Sequence, residues 1–256
     1  MRLATIDIGT NTAQLLVVAV REGMLERLHV AERFVRLGEG VDASGRIGAA
    51  AQGRLLDALR DHMEAAHQHG ADRIVIAATS AMRDAANRDA VCARIENAVG
   101  CTVEVLSGTA EATWSFAAAC APFADRSGPC LVIDIGGGSV ELIAGALAGA
   151  TSDPDTAIRQ RTSLDIGCVR LTERFLRGHP ASDDAVEAAT RHIDDALDDA
   201  LGNASLRVPP DALAIGTAGT ATALALVDAG PQSAWDPLDG GGFVLSAATV
   251  HGWAER

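Results

Sequence analysis

The chain has 256 residues, 48% of them apolar, and a formal net charge of −13, with arginine supplying all 21 basic residues. An acidic surface of this kind argues against nonspecific binding to duplex nucleic acid or anionic membrane, although a local arginine patch can still hold a polyanion. The five cysteines (Cys92, Cys101, Cys120, Cys130, Cys168) are odd in number and lack C-x-x-C spacing, which fits reduced thiols in a cytoplasmic protein and not disulfides or a zinc site. The length suits two domains. No apolar run reaches membrane-spanning length, and Asp7 and Gly9 interrupt the N-terminal apolar run, so no signal peptide is expected.

Taken in chain order, Arg2–Ile8, Ala13–Val20 and Met24–Phe34 are expected as strands, the last after a Glu22-Gly23 turn. A glycine-broken loop follows, in which Arg36 reads as a surface arginine or, alternatively, as a phosphate ligand. Ala49–His69 has helical spacing, with Leu55, Leu56, Leu59, Met63 and Ala66 on one face and Gly70 as its C-cap. His62, His67 and His69 read as residues favoured near a helix C-terminus, not as a metal set. Arg73–Ala78 is a buried strand running into Thr79-Ser80, a hydroxyl pair expected to cap the next helix. Such a junction also points N–H groups at any nearby anion. By themselves these residues read as an ordinary capped helix with Arg83 in a surface ion pair. The alternative is that Arg83 forks onto a phosphate. Thr102–Leu106 is the next strand, and Ser107–Cys120 a helix with Glu111 in its first turn, where the helix dipole favours a carboxylate. Ala121–Gly128 is the expected crossing between domains spanning 1–120 and 121–256.

The second half opens on Leu131–Ile143, LVIDIGGGSVELI. Two apolar strands flank the turn Gly136–Gly138, whose glycines allow close backbone approach to a ligand. Successive turn N–H groups with the Ser139 hydroxyl would form an anion site. Asp134 and Glu141 place a carboxylate on each side, which makes sense if a hard cation such as Mg²⁺ sits between them. The plainer alternative is a hairpin with two solvated acids. What tips the balance is a second copy, TIDIGTNTAQLL at Thr5–Leu16. It aligns Asp7 with Asp134, Gly9 with Gly136, Thr12 with Ser139 and Gln14 with Glu141, and suggests two similar domains facing a central cleft, each with a phosphate-binding hairpin.

Ser163–Leu171 is then expected as a strand leading into a helix, and Ser182–Leu201 as an acidic helix. Its buried stripe would be Val186, Ile193, Leu197 and Leu201, with Asp194, Asp195, Asp198 and Asp199 on a solvated face. Leu213–Gly216 is a strand meeting the turn Thr217–Thr222, where Gly219 and Thr220 add a third glycine–hydroxyl turn to the phosphate reading. The tail from Asp236 to Arg256 is glycine-rich, then briefly helical.

Seven segments in order, IDIGTNT, VRLGEGVDASGRI, ATSAMRDAANRD, VLSGTAEA, VIDIGGGSVEL, DIGCVRLTERF and GTAGTATAL, resemble the exopolyphosphatase / guanosine pentaphosphate phosphohydrolase family. That family belongs to the actin-like ATPase superfamily. The resemblance is to its short form, and implies an α/β fold of two ribonuclease H-like domains. It implies a Mg²⁺-dependent phosphohydrolase releasing terminal orthophosphate from inorganic polyphosphate or guanosine pentaphosphate, with a homodimer as the expected assembly. On this basis Glu111 is the catalytic glutamate, with Glu141 as the other candidate base. Asp134 and Glu141 are the metal-linked acids, and Arg83 contacts phosphate. Gly9, Thr10, Asn11 and Thr12, with Gly136, Gly137, Gly138 and Ser139, hold consecutive phosphates. Ala110 stands where a glutamate is common in the family and Val140 where threonine is usual, and members generally continue past Arg256. A kinase of the same superfamily and a nonenzymatic polyphosphate or alarmone sensor are the competing functions.

Overall fold

Buried and exposed residues alternate along Arg2–Ile8 (β1) and Thr12–Arg21 (β2), the period-two signature of a strand with one face on a core. In the computed structural model, which describes all residues except 149–153, 203–205, 231–232, 234–241 and 255–256, Ala4, Ile6, Ile8, Ala13, Leu15 and Val17 share that core. Met24–Phe34 (β3) pairs antiparallel with β2. Val41–Ser44 (α1) and Ala49–Gln68 (α2) follow. Then come Arg73–Ala78 (β4), Ser80–Asp84 (α3), Arg88–Val99 (α4) and Val103–Val105 (β5). The sheet order is β3-β2-β1-β4-β5, with β4 and β5 parallel to β1. Helix α2 buries Leu55, Leu56, Leu59, Met63 and Ala66, the face its spacing marks out, and Gly70 follows it with a left-handed φ of 68°. His62 departs from its expected place. It is 2% exposed, and its Nε2 lies 3.0 Å from the Ala13 carbonyl oxygen, because it falls on the same face as Leu55 and Leu59.

Gly108–Cys120 (α5) precedes a second sheet. Its strands are Ser127–Ile135 (β6), Val140–Ala148 (β7), Ile158–Leu164 (β8) and Leu213–Thr217 (β9), in the order β8-β7-β6-β9. The remaining helices along the chain are Pro154–Ala157 (α6), Cys168–Arg174 (α7), Asp183–Gly202 (α8), Ala218–Ala229 (α9) and Ala247–Ala254 (α10). β6 is antiparallel to β7 and parallel to β9, as β1 is to β2 and β4. The sequence repeat is therefore a repeat of topology. The two hairpins close alike, Gly9 N–H on the Thr12 carbonyl at 2.9 Å and Gly136 N–H on the Ser139 carbonyl at 3.0 Å.

The acidic helix α8 turns the expected face inward, but only along its middle, where Ile193 and Leu197 are partly buried. Ala189 and Ala200 are buried, whereas Val186 and Leu201 are about half exposed because they sit in its terminal turns. Asp194, Asp195, Asp198 and Asp199 are exposed. The brief helix near the chain end is α10, while the glycine-rich stretch 236–241 lies outside the described residues. No helix among the described residues is long and apolar enough to cross a membrane.

The chain forms two compact units. The first comprises Met1–Glu111, Gly136–Ser139 and Leu164–Leu197; the second comprises Ala112–Ile135, Val140–Ser163 and Asp198–Arg256. The core of the second is built on Ala112, Phe116, Ala119, Cys130, Val132, Ile143 and Leu147.

Candidate functional site

The first unit contains both glycine hairpin tips. At the first, the Thr10 carbonyl accepts the Gly38 N–H at 2.8 Å and the Asn11 carbonyl accepts those of Val35 and Arg36 at 2.9 Å. At the second, the carbonyls of Gly136 and Gly137 accept the N–H groups of Cys168 and Val169 at 3.1 and 2.8 Å. The Gly138 carbonyl accepts Arg170 Nε at 3.0 Å. With the carbonyls turned into the protein, the N–H groups of Thr10, Asn11, Gly137 and Gly138 have no acceptor among the described residues. Backbone amides grouped this way suit an anion. The approach is close: a Cβ on Gly138 would lie 2.4 Å from Ser80 Oγ and 2.6 Å from Thr10 Oγ1, and one on Gly167 would lie 2.4 Å from the Gly137 carbonyl. At Gly167 the obstacle is backbone and only glycine fits, whereas at Gly138 a side chain would displace the Ser80 and Thr10 hydroxyls.

Thr79 makes no side-chain cap on α3, contrary to expectation, and the Ser80 hydroxyl makes none either. Ser80 is 2% exposed and its Oγ has no hydrogen-bond partner. It lines a pocket with Thr10, Asp42, Asp84, Gly138 and Arg170.

Arg83 is not the surface residue that its local sequence suggests. Its Nη1 donates to Glu111 Oε2 at 2.7 Å and to the Leu106 carbonyl at 3.1 Å. Both side chains are largely buried, 21% and 15% exposed. Helix α3 presents Arg83 from one side and the first turn of α5 presents Glu111 from the other, so these two expected site residues meet. Arg36, by contrast, is exposed.

Sequence reasoning missed an ionic cluster beside the second tip. Arg170 Nη1 and Arg174 Nη2 both donate to Asp42 Oδ1 at 2.6 Å, and Arg170 Nη2 donates to Asp84 Oδ2 at 2.6 Å. The Glu173 carboxylate accepts the Gly40 N–H. The available signal was the run of charges in DIGCVRLTERF, whose partners lie 86 to 133 residues upstream. The Arg174 hydrogen bond, helped by Arg170, holds the Asp42 carboxyl at about 2, below its ordinary 3.8, while burial pushes the other way. A depressed carboxylate contributes stability above its unfolded pKa and loses it as pH falls through the folded value. Asp42→Asn is therefore expected to cost about 2 kcal/mol at neutral pH, a fall of about 4–8 °C in Tm. The gap to wild type should close as pH drops from about 4 towards 2. Calorimetric melts across that range check it; a gap independent of pH would remove the charge from the explanation.

The second unit holds the paired acids. Asp134 and Glu141 are direct partners in the β6–β7 register and so share a face. Glu141 is 1% exposed and accepts the Ser163 hydroxyl on Oε1 at 2.7 Å. Asp134 accepts the Ser115 hydroxyl on Oδ2. Burial raises the Asp134 pKa, and the hydroxyls of Ser115 and Thr217 act against it. Thr217 Oγ1 is itself buried without a hydrogen bond of good geometry. Like charges directly opposite on a sheet destabilise it, and an all-oxygen donor set with an unsatisfied buried hydroxyl suits a hard cation. Among the described residues no group of three or more His, Cys, Asp or Glu could hold a metal alone. The fit is thus to an ion such as Mg²⁺, which takes one or two carboxylates and completes its shell with water and phosphate. In the third turn Ala218 opens α9 with a left-handed φ of 64°, a conformation costing a non-glycine residue about 1–2 kcal/mol. Gly219 and Thr220 lie in the first turn of that helix.

Of the expected site residues, Gly9–Thr12, Arg83, Glu111 and Gly136–Ser139 fall in the first unit. Asp134, Glu141, Gly219 and Thr220 fall in the second.

Residues 16–256 match the Ppx/GppA phosphatase family. Exopolyphosphatase 2 of Mycobacterium tuberculosis is 38% identical over 235 residues, covering 87% of this chain and 69% of that protein. Among solved structures, an exopolyphosphatase from Cytophaga hutchinsonii superposes with a TM-score of 0.84 at 27% identity, covering 100% of this chain and 79% of the other. The Aquifex aeolicus Ppx/GppA enzyme gives 0.76 at 27% identity, covering 100% and 80%.

Proposed function

We propose, from the premise that the chain belongs to the Ppx/GppA phosphatase family, that it is a phosphohydrolase releasing orthophosphate from the end of inorganic polyphosphate. Guanosine pentaphosphate is the second candidate substrate. The observation that carries this reading is the Arg83–Glu111 pair: a largely buried carboxylate, fixed by a guanidinium, in the same unit as two glycine turns with unpaired amides.

In the proposed reaction a water oxygen bonds to the terminal phosphorus as the bridging P–O bond breaks in line, and the chain leaves one phosphate shorter. Glu111 orients that water and accepts its proton. Arg83 holds the carboxylate in place. We assign the proton to Glu111 over Glu141 because Glu141 is 1% exposed and one of its oxygens is committed to Ser163. The amides of Thr10, Asn11, Gly137 and Gly138 bind non-bridging phosphate oxygens, where charge sits in the transition state. The Ser80 hydroxyl gains the partner it lacks, offsetting about 1–3 kcal/mol of desolvation. Asp134 and Glu141 would hold Mg²⁺, which neutralises and polarises phosphate oxygens when bound.

The test is orthophosphate release by the purified chain with Mg²⁺, comparing long-chain polyphosphate, guanosine pentaphosphate and ATP in parallel. Release from polyphosphate that EDTA stops is the expected result. Release from ATP alone, or transfer of its phosphate to an acceptor, would favour a kinase. Tight polyphosphate binding without any release would favour a sensor.

A further inference from the structure

We propose that Ser115 and Ser163 are positioning residues that fix the orientation of Asp134 and Glu141 for the cation and the phosphate. This rests on the phosphohydrolase reading above. Asp134 and Glu141 face each other across β6 and β7, with Cβ atoms expected about 4.5–5.5 Å apart. Their mutual repulsion would turn the carboxylates away from each other, and the terminal torsion of a carboxylate is soft. Each has a hydroxyl that opposes this. Ser115 on α5 donates to Asp134 Oδ2, and Ser163 on β8 donates to Glu141 Oε1 at 2.7 Å.

Two features separate this from incidental packing. A serine inside a helix ordinarily returns its hydroxyl to its own backbone; Ser115 instead directs it out of α5 to a β-strand carboxylate. And both donors are neutral. A guanidinium would orient the acids equally well but would cancel the charge a cation needs, whereas a hydroxyl fixes one oxygen and leaves the charge. The donors also come from separate elements, α5 and β8, so each acid is held independently.

The test uses the full chain and four substitutions, Ser115→Ala, Ser163→Ala, Ser115→Thr and Ser163→Thr. Three readouts apply: Mn²⁺ binding without substrate, followed by the free-ion paramagnetic resonance signal; kcat and KM for polyphosphate; and Tm. Loss of a hydrogen-bond partner to a metal ligand typically costs about 10–100-fold in affinity or activity. That loss is expected here in Mn²⁺ affinity and kcat for each alanine variant, with KM for polyphosphate nearly unchanged. Threonine, which keeps the hydroxyl, should restore both. Alanine variants matching wild type in Mn²⁺ binding and kcat would overturn the proposal. So would a loss that tracks Tm and is not rescued by threonine. If the wild type releases no phosphate, the hydrolase reading fails while the Mn²⁺ arm still decides the role of the serines; a wild type that binds no Mn²⁺ overturns it.

Discussion

Glu111→Gln is expected to lower the rate of phosphate release by about 10²–10⁴-fold and to leave polyphosphate binding unchanged. The substitution preserves shape. The amide oxygen can still accept from Arg83 Nη1, which sits 2.7 Å from the carboxylate in the wild type. What disappears is the capacity to take a proton from water. The fall should therefore lie in kcat, with KM and direct binding constant, the pattern of a group that acts only in the transition state. Arg83→Ala makes the informative contrast. It removes both the orientation of Glu111 and a cation, so kcat and binding should weaken together. Parallel measurement of steady-state release and polyphosphate binding separates the two. Near-normal turnover by Glu111→Gln would exclude Glu111 as the base and leave Glu141 as the candidate.

The repeat of strand, Asp-x-Gly turn and strand was legible because it is local. Apolar strand-forming runs on either side of a glycine turn specify a hairpin from about a dozen residues, and β1–β2 and β6–β7 form as that pattern requires. The buried face of α2 was legible for the same reason, its period being 3.6. What the pattern could not supply was partners distant in sequence. Arg83 looks like a surface residue locally; only the pairing of β4 with β5 brings Leu106 and Glu111 to it. Asp42 gives no local sign of Arg170 and Arg174, and Ser115 none of Asp134. His62 and the ends of the α8 stripe differ for other reasons: the histidine is buried because it shares the face of Leu55 and Leu59, whereas Val186 and Leu201 lie on the apolar stripe but in terminal turns that leave them half exposed.

Asp134→Asn is expected to separate stability from function. In the wild type, Asp134 and Glu141 are acids in direct register, Glu141 buried and Asp134 partly so, and charge repulsion across such a pair costs about 0.2–1 kcal/mol. Asparagine keeps the shape and accepts the Ser115 hydroxyl, so the metal-free variant should melt at the wild-type temperature or slightly above. With Mg²⁺ the order should reverse. A ligand that binds the folded state alone stabilises it by mass action, and a site with one carboxylate in place of two should lose most of that gain. Phosphate release should fall by at least about 10-fold, and the Mg²⁺ concentration giving half-maximal rate should rise. Melting curves and release rates, each titrated with Mg²⁺, check both halves. A variant less stable than wild type without Mg²⁺ would mean that Asp134 serves the fold through its hydrogen bonds. Unchanged Mg²⁺ dependence would place the cation elsewhere. A gain of stability in the metal-free protein together with loss of the Mg²⁺ response would mark these acids as a pair kept in mutual repulsion because the bound cation relieves it.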